Sequence, residues 1–530
     1  MAKNNNLTDF LTDVANAIRE KKGLSDPINP QNFSDEIASI ETGGGGGASV
    51  VTEGDVNFRD YDGTILHSYS KNEFLALSEL PELPSQTGLI CQGWNYSYDD
   101  AKAYVADYGV LEVGASYITE DGATRLYITI PKKELAQIYL YFNQSIANGV
   151  FIDWGDGTSV TTSKNSGNVS AAHTYEAEGS YVISLKAEAG CTMFLGRDSS
   201  SYSVLGPNGS SGYVAKNALL HKVEIGENIT QIGNYAFKDC TSLKYVTIPN
   251  NIVEDSGSVF YYCNNLRALV FPLRMKSIAS YCAFGCYNLE AVVLPNGLTS
   301  IGNNAFAETS VRTVTIPNSV TSIGSSSFYS SFMPKHLIIP KSIKTIDISA
   351  FEASRNLERL EVYATQLTTS NSIFKNSIKL QNVVFHNSQE TAESSLFQEC
   401  RALQSCILPK GIMSLKSSFF YNCKALTTID IPEGVKEIGS SCFSGCYSLS
   451  IVTLPSTLTT ISSNAFQYAA GLGFMDCRKC TSVPTLASAF PTLQSWMKII
   501  VPDTLYDNWV VATNWSAVAK YIVKASEYTE

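Results

Sequence analysis

Successive patterns of hydrophobic and polar positions divide the chain into segments. Residues 1–42 carry apolar side chains at helical spacing, which predicts a helical attachment segment, and the run of glycines in 43–49 predicts a flexible linker. Residues 50–122 combine strand-like alternation with helix-capping sequences, which predicts a small α+β module. Residues 123–190 alternate apolar and polar positions between Gly- and Asn-containing turns, which predicts a β-sandwich.

A repeat of about 23 residues fills most of the second half of the chain. A marker phenylalanine recurs at 237, 260, 284, 306, 328, 351, 374, 397, 420, 443 and 466, and a proline recurs in the same register. Such a period predicts a mainly β solenoid of about 11 coils over 191–482, with an N-terminal cap of its own and each marker ring inside. We expect residues 483–530 to form the C-terminal cap, with Ile499–Val501 as a last strand without a following coil, sealed by Tyr506, Trp509 and Trp515.

One full unit reads Ile232 to Cys240 for the return segment and Leu243 to Pro249 for the strand. This unit is similar to the BspA-like leucine-rich repeat family, which implies a leucine-rich repeat solenoid. Asp153 to Thr158, followed by His173 to Tyr175, resembles a PKD-type immunoglobulin-like domain. That resemblance implies Trp154 in the sandwich core, a hydrogen bond from Tyr175 back to the backbone, and a role as a spacer.

Composition narrows the classes of partner and compartment. Charged residues are 16% of the chain and the net charge is −11, which argues against nucleic acid as a partner. The N-terminus lacks the apolar core of a signal peptide, and no window is long and apolar enough to insert into a membrane. We therefore expect synthesis in a cytoplasm, with the 13 cysteines reduced. Cys400, Cys423 and Cys446, three residues after their markers, are expected to stay unpaired.

Neither catalysis nor a cofactor is predicted. The five histidines lack metal-ligand spacing, and no GxSxG elbow is present. Asp153 and Asp156 offer too few oxygens for calcium, and Cys477 and Cys480 form a lone CxxC, so no metal is expected. Trp94, Tyr96 and Tyr98 could stack sugars, but the core of a small domain is the preferred interpretation. We expect a protein that is not an enzyme.

The predicted binding surface is the outward grid of the solenoid strands. Charged and aromatic residues concentrate in its first half, whereas the second half is nearly all Ser, Thr, Gln and Asn. The alternative interpretation is a sheet face that is merely soluble. The candidate binding residues are Lys244, Tyr245, Arg267, Glu290, Arg312, Lys335, His336, Glu358 and Arg359.

The order of the modules suggests a tethered binder: a segment that must dock, a hinge, two spacers and a recognition solenoid. Residues 10–40, 55–106 and 501–525 also resemble leucine-rich-repeat fibre or tail proteins of bacteriophages. That resemblance implies a host-surface adhesin on the virion exterior, anchored to other virion proteins through residues 1–42 and forming a homo-oligomer. The expected partner is a host cell-surface protein or glycan. The alternatives are a structural virion component and a bacterial surface adhesin.

Overall fold

β-Strands make up 31% of the structure and helices 9%, which confirms the mainly β class. The computed structural model describes residues 53–147, 149–162, 166–196, 202–207, 216–253, 256–365, 367–386, 393–488, 490 and 493–528. These belong to one compact unit that runs from Glu53 to Glu530. The predicted attachment segment 1–42 and linker 43–49 lie outside the described residues.

The α+β module contains four strands and two helices: β1 (Val56–Arg59), β2 (Ile65–Tyr69), α1 (Lys71–Ala76), β3 (Leu89–Trp94), α2 (Tyr98–Tyr108) and β4 (Leu111–Thr119). The sheet order is β2-β1-β4-β3. Ser70 and Glu73 form the predicted capping box of α1, and α2 ends at Gly109, whose φ of 85° is left-handed. Trp94 and Tyr96 are buried in the module core, so this cluster is packing and not an exposed sugar platform.

The sandwich is formed by β5 (Thr124–Ile130), β6 (Gln137–Gln144), β7 (Val150–Asp153), β8 (Ser159–Thr161), β9 (Gly167–Thr174), β10 (Gly179–Ala187) and β11 (Met193–Leu195). A hairpin of β12 (Tyr202–Ser203) and β13 (Gly206–Pro207) follows, then β14 (Leu220–Glu224) and β15 (Ile229–Ile232). Trp154 is buried, and the Tyr175 hydroxyl donates to its carbonyl oxygen at 2.9 Å, as predicted.

The sandwich is continuous with the solenoid. β14 pairs antiparallel with β5 and parallel with the first solenoid strand, Tyr245–Thr247, while β15 pairs parallel with β11. Each sheet of the sandwich therefore covers one open edge of the solenoid, and a single hydrophobic core runs through both. The sandwich is the N-terminal cap, so its expected role as a separate spacer is wrong.

The solenoid has about 13 turns, against about 11 predicted. We call the side with the longer strands the front face. Its parallel strands are Tyr245–Thr247, Ala268–Val270, Ala291–Val293, His336–Ile339, Arg359–Val362, Asn382–Phe385, Ser405–Ile407, Thr428–Asp430, Ile451–Thr453, Phe474–Asp476, Lys498–Val501 and Ile522–Lys524. The back face has two-residue strands: Ser277–Ile278, Ser300–Ile301, Ser322–Ile323, Thr345–Ile346, Thr368–Thr369, Ser414–Leu415, Glu437–Ile438, Thr460–Ile461 and Thr485–Leu486.

Marker rings form a ladder through the interior. From Phe306 onward consecutive markers stack with centroids 5.3–5.9 Å apart, and the marker rings are buried, as predicted. Phe284 is an exception, and its predicted interior place is wrong. In this turn Ala283 takes the interior position and is fully buried. It lies 23 residues after Phe260 and 23 residues before Phe306, whereas the Phe284 ring points outward among tyrosines.

Small polar residues three positions after the marker form a second column. The Cys423 thiol donates to the Phe397 carbonyl at 3.1 Å, and the Cys446 thiol donates to Phe420 at 3.2 Å. In another turn a hydroxyl is the donor at this position: the Ser331 hydroxyl donates to the Phe306 carbonyl oxygen at 2.6 Å. This donor role explains why the position accepts Cys, Ser or Thr. All 13 cysteines are free.

The C-terminal cap ends the ladder. Phe490 stacks on Phe466 at 5.5 Å, and Trp515 and Trp509 close over it. α3 (Tyr506–Val511) and a 3-10 helix (Ser516–Tyr521) then lead into Ile522–Lys524, which pairs parallel with Lys498–Val501. The prediction that Ile499–Val501 is the last strand is therefore wrong.

Candidate binding site on the front face

The α+β module lies on the front face of the solenoid. The Asn95 amide donates to the Phe271 carbonyl at 3.1 Å, and the Tyr104 hydroxyl donates to Ile316 at 2.9 Å. The Tyr108 hydroxyl donates to the Asn318 side chain at 2.8 Å. These buried contacts fix the module against the solenoid, so the interpretation as a spacer is wrong for this module as well.

Packing at this contact is close because both partners present small residues. Ala268 and Ala291 on the outward grid meet the turn at Gly63, and β4 crosses Val270 and Val293 at Gly114. A Cβ on Gly114 would overlap a methyl of Val270. These outward positions are at most 5% exposed, so this part of the grid is covered and does not face solvent.

A cleft remains open beside the docked module. Its volume is about 460 Å³, and its solenoid wall carries five of the nine predicted site residues: Lys244, Tyr245, Arg267, Glu290 and Arg312. The module supplies the facing wall through Glu53, Arg59 and Asp62. We call this space the first cleft. The residues of its solenoid wall were predicted from the sequence. The residues of its module wall were not, because they reach the cleft only when the module docks on the solenoid.

Charge in the first cleft is uneven. Arg59 is ion-paired with Glu53 at 2.6 Å and with the buried Glu112. Burial raises the pKa of the Glu112 carboxyl, and the Arg59 charge opposes that rise. Among the described residues, no carboxylate forms an ion pair with Lys244, Arg267 or Arg312. These three cations are available to a ligand.

A second cleft of about 720 Å³ continues along the module edge. Arg312, Lys335 and His336 line it from the solenoid, and Asp55 and Asn57 line it from the module. The Arg312 guanidinium lies 4.7 Å from the ring centre of Phe332, a cation–π contact that orients it between the two clefts. Seven predicted residues therefore line a cleft.

The remaining two, Glu358 and Arg359, line neither cleft. Glu358 forms an ion pair with Lys335 at 3.4 Å, and both side chains are exposed. Arg359 binds the buried Glu361 carboxylate at 2.8 Å instead of facing outward alone. Because both side chains of the Lys335–Glu358 pair are exposed, this pair contributes little to stability.

Glu361 is a structural hub that the predicted site omitted. Its carboxylate accepts from the Tyr363 hydroxyl at 2.9 Å and lies 3.0 Å from His336 Nε2 and 2.7 Å from His386 Nε2. Burial alone would raise the pKa of Glu361, but these hydrogen bonds and the Arg359 charge lower it to about 2. Burial lowers the pKa of His336, and Glu361 opposes this. The His336 imidazole is therefore held by its contact with the Glu361 carboxylate.

Other candidate chemistry has structural explanations. Asp153 accepts from the Gly155 amide at 2.9 Å, and Asp156 accepts from Thr158 and lies 2.7 Å from His173, so both carboxylates serve turns. In the part of the chain that the structure describes, no three His, Cys, Asp or Glu side chains converge as a metal site. No helix among these residues is long and apolar enough to cross a membrane.

Comparison with known proteins identifies the repeat. A sequence model of the BspA type leucine rich repeat region matches residues 211–335, 322–424 and 367–490. The chain belongs to this BspA-type family. The matched region includes the solenoid wall of both clefts of this BspA-type protein, whereas the α+β module lies outside it.

Three similar solved structures each cover just over half of this chain. A leucine-rich repeat protein from Bacteroides ovatus is 23% identical, with 52% of this chain and 88% of that chain covered and a TM-score of 0.27. A leucine rich cell surface protein from Faecalibacterium prausnitzii is 22% identical, with 55% and 85% covered and a TM-score of 0.31. The pneumococcal vaccine antigen PcpA is 16% identical, with 57% and 84% covered and a TM-score of 0.30. No curated protein matches this BspA-type chain.

Proposed function

We propose that this BspA-type protein is a bacteriophage fibre or tail adhesin that binds the host surface through the first cleft. The observation that carries this proposal is the convergence of Lys244, Arg267 and Arg312, all without an acidic partner, beside Tyr245 in a cleft with a preformed wall. Arg and Tyr are residue types that often dominate binding energy, and a preformed site binds at a lower entropic cost. BspA-type membership is consistent with a binding role.

The phage assignment is supported by the sequence resemblances of residues 10–40, 55–106 and 501–525. In this proposal residues 1–42 anchor the protein to other virion proteins, the chain forms a homo-oligomer, and the solenoid lies on the virion exterior. The PKD-like resemblance is supported by the buried Trp154 and its hydrogen bond from Tyr175. The partner is a host cell-surface protein or glycan with acidic groups, and neither nucleic acid, membrane insertion nor catalysis is involved.

The test measures binding of the purified full chain to candidate host cells by flow cytometry. Arg267→Ala and Arg312→Ala remove cations from the first cleft, and each should weaken binding by about thirtyfold, the effect of losing a true anchor of about 2 kcal/mol. The matched control is Gln404→Ala. Gln404 occupies in the neutral half of the solenoid the same repeat position that Arg267 occupies in the first half, and its side chain is also exposed.

Binding that is lost in both arginine variants and kept in the control supports the proposal. Parent-like binding in both variants excludes the first cleft as the site. Absence of any host-cell binding contradicts the adhesin and favours a structural virion component. Soluble sugar released from the cells during incubation would contradict the non-enzymatic role.

A further inference from the structure

A cluster of exposed aromatic rings lies away from both clefts, on the side of the solenoid that carries the marker positions. Its rings come from the three turns whose marker slots are residues 237, 260 and 283. Each ring contacts at least one other ring of the cluster, with centroids 4.6–6.3 Å apart. We call it the tyrosine platform. Its members are Tyr235, Tyr261, Tyr262, Tyr281, Phe284 and Tyr287.

The rings are accessible. Tyr281 is 40% exposed and Tyr287 is 48% exposed, and the other four are half-buried against each other. The function proposed for the first cleft uses none of them. Contiguous apolar patches exposed on a protein surface are often functional.

The backbone conformation shows that two of these tyrosines stand where later turns carry smaller residues. Each turn has two left-handed positions, two residues before and two residues after the marker slot. Three platform tyrosines occupy such positions, with φ of 61° at Tyr235, 58° at Tyr262 and 60° at Tyr281. Later turns fill the position before the marker with small polar residues: Asn304, Ser326, Ser349, Ser372, Ser395, Ser418, Ser441 and Asn464.

Left-handed backbone is unfavourable for bulky residues and best tolerated by Gly, Asn and Asp. The fold itself therefore has no need of tyrosine at the position before the marker, where Tyr235 and Tyr281 lie, since Ser and Asn meet the same backbone requirement there in eight later turns. Strain that the fold does not require is typical of functional sites.

The neighbouring turn is shaped to receive one of these rings. Gly285 also has a left-handed φ, 69°, and a Cβ at this position would overlap the ring of Tyr262. The absence of a side chain lets that ring lie across the next turn towards Tyr287, with centroids 6.3 Å apart. The platform is thus a continuous surface and not a set of separate side chains.

Polar groups border the rings. The Lys238 ammonium lies 5.2 Å from the ring centre of Tyr235 and 5.6 Å from that of Tyr261. The Tyr287 hydroxyl donates to the Glu308 carboxylate at 3.3 Å. Adjacent turns lie about 4.8 Å apart, so three turns offer about 10 Å of aromatic surface, enough for a short oligosaccharide.

Aromatic faces with a polar border suit carbohydrates. The negative face of a ring attracts the C–H groups of a sugar, and the bordering charges and hydroxyls can bind its hydroxyl groups. We propose that the tyrosine platform is a carbohydrate-binding surface that stacks an oligosaccharide, separate from the first cleft.

The test applies the purified full chain to an array of defined bacterial and plant oligosaccharides. Tyr262→Asn and Tyr281→Ser install the residue types that the same positions carry in later turns, so the fold should keep or raise its melting temperature. Each should weaken binding to the bound oligosaccharide by about tenfold or more. Tyr468→Asn is the matched control, because Tyr468 is left-handed, with φ of 59°, and 60% exposed but lies outside the platform.

A tenfold or larger loss in both platform variants, with parent-like binding by Tyr468→Asn and by the cleft variant Arg267→Ala, supports the proposal. Failure of the parent to bind any oligosaccharide on the array overturns it. Equal loss in the control, or parent-like binding in both platform variants, also overturns it. If the platform variants lose host-cell binding while array binding is unchanged, the platform binds a protein and the proposal is wrong.

Discussion

Replacing Phe351 by alanine removes one ring from the middle of the interior ladder. Phe351 is fully buried and stacks on Phe328 at 5.3 Å and on Phe374 at 5.4 Å, with each pair of rings within 5° of parallel. A buried Phe→Ala change costs about 3–5 kcal/mol, because the surroundings only partly fill the cavity. Losing two ring pairs, each contributing about 0.5–1.5 kcal/mol, places this substitution at the upper end of that range.

Equilibrium unfolding in guanidinium chloride, followed by circular dichroism, measures the loss. The matched control is Phe284→Ala, since sequence spacing gave both phenylalanines the same role but Phe284 lies outside, half-buried. We expect the control to lose less than about 1–2 kcal/mol, because its ring is only partly removed from water. A loss of unfolding free energy below about 1 kcal/mol for Phe351→Ala, or equal losses for both variants, would contradict the interior stack of marker rings.

Four further predictions follow from specific contacts. In native protein only Cys91, which is half-buried, should react quickly with a thiol reagent, because the other 12 cysteines are buried and burial raises the pKa of thiols such as Cys400 and Cys423; fast reaction of several thiols would contradict this. Gly114→Val should push β4 off Val270 and speed hydrogen exchange over Leu111–Thr119, and unchanged exchange would count against docking. The pKa of Glu361 falls from 4.5 to about 2 on folding, so its stabilising contribution is present above about pH 4.5 and is lost as the pH falls towards 2. The difference in unfolding free energy between the parent and Glu361→Gln should therefore shrink over that pH window. A difference that stays constant would contradict the stabilising role of Glu361. Deleting residues 1–47 should leave a soluble protein that no longer enters particles, whereas particles that still contain it would place the anchor elsewhere.

The repeat could be predicted from the sequence because its signal is local and recurs many times. Marker phenylalanines, prolines and small polar residues at one spacing identify the solenoid and its interior. Phe284 misled this reasoning, since intervals of 24 and 22 residues resemble two irregular turns as much as one outward ring. Ala283, at the regular interval, was the signal for the correct register.

Docking of the α+β module could not be predicted from local patterns. The contacts of Asn95 and Tyr104 span about 200 positions of sequence, and no periodicity links such residues. One signal was available: Ala268, Val270 and Ala291 are small or apolar at outward positions, which suits a covered face better than an open grid. The hub at Glu361 likewise forms only when three front-face strands are aligned.

The most direct test of recognition in the first cleft is site-specific photo-crosslinking to host cells. A benzophenone amino acid replaces Tyr245 in one variant and Thr428 in another; the two share a position in the repeat, but Thr428 lies exposed in the neutral half. We expect crosslinks to a host-surface component from position 245 and none from position 428. Crosslinks from position 428 alone, or equally from both, would contradict it.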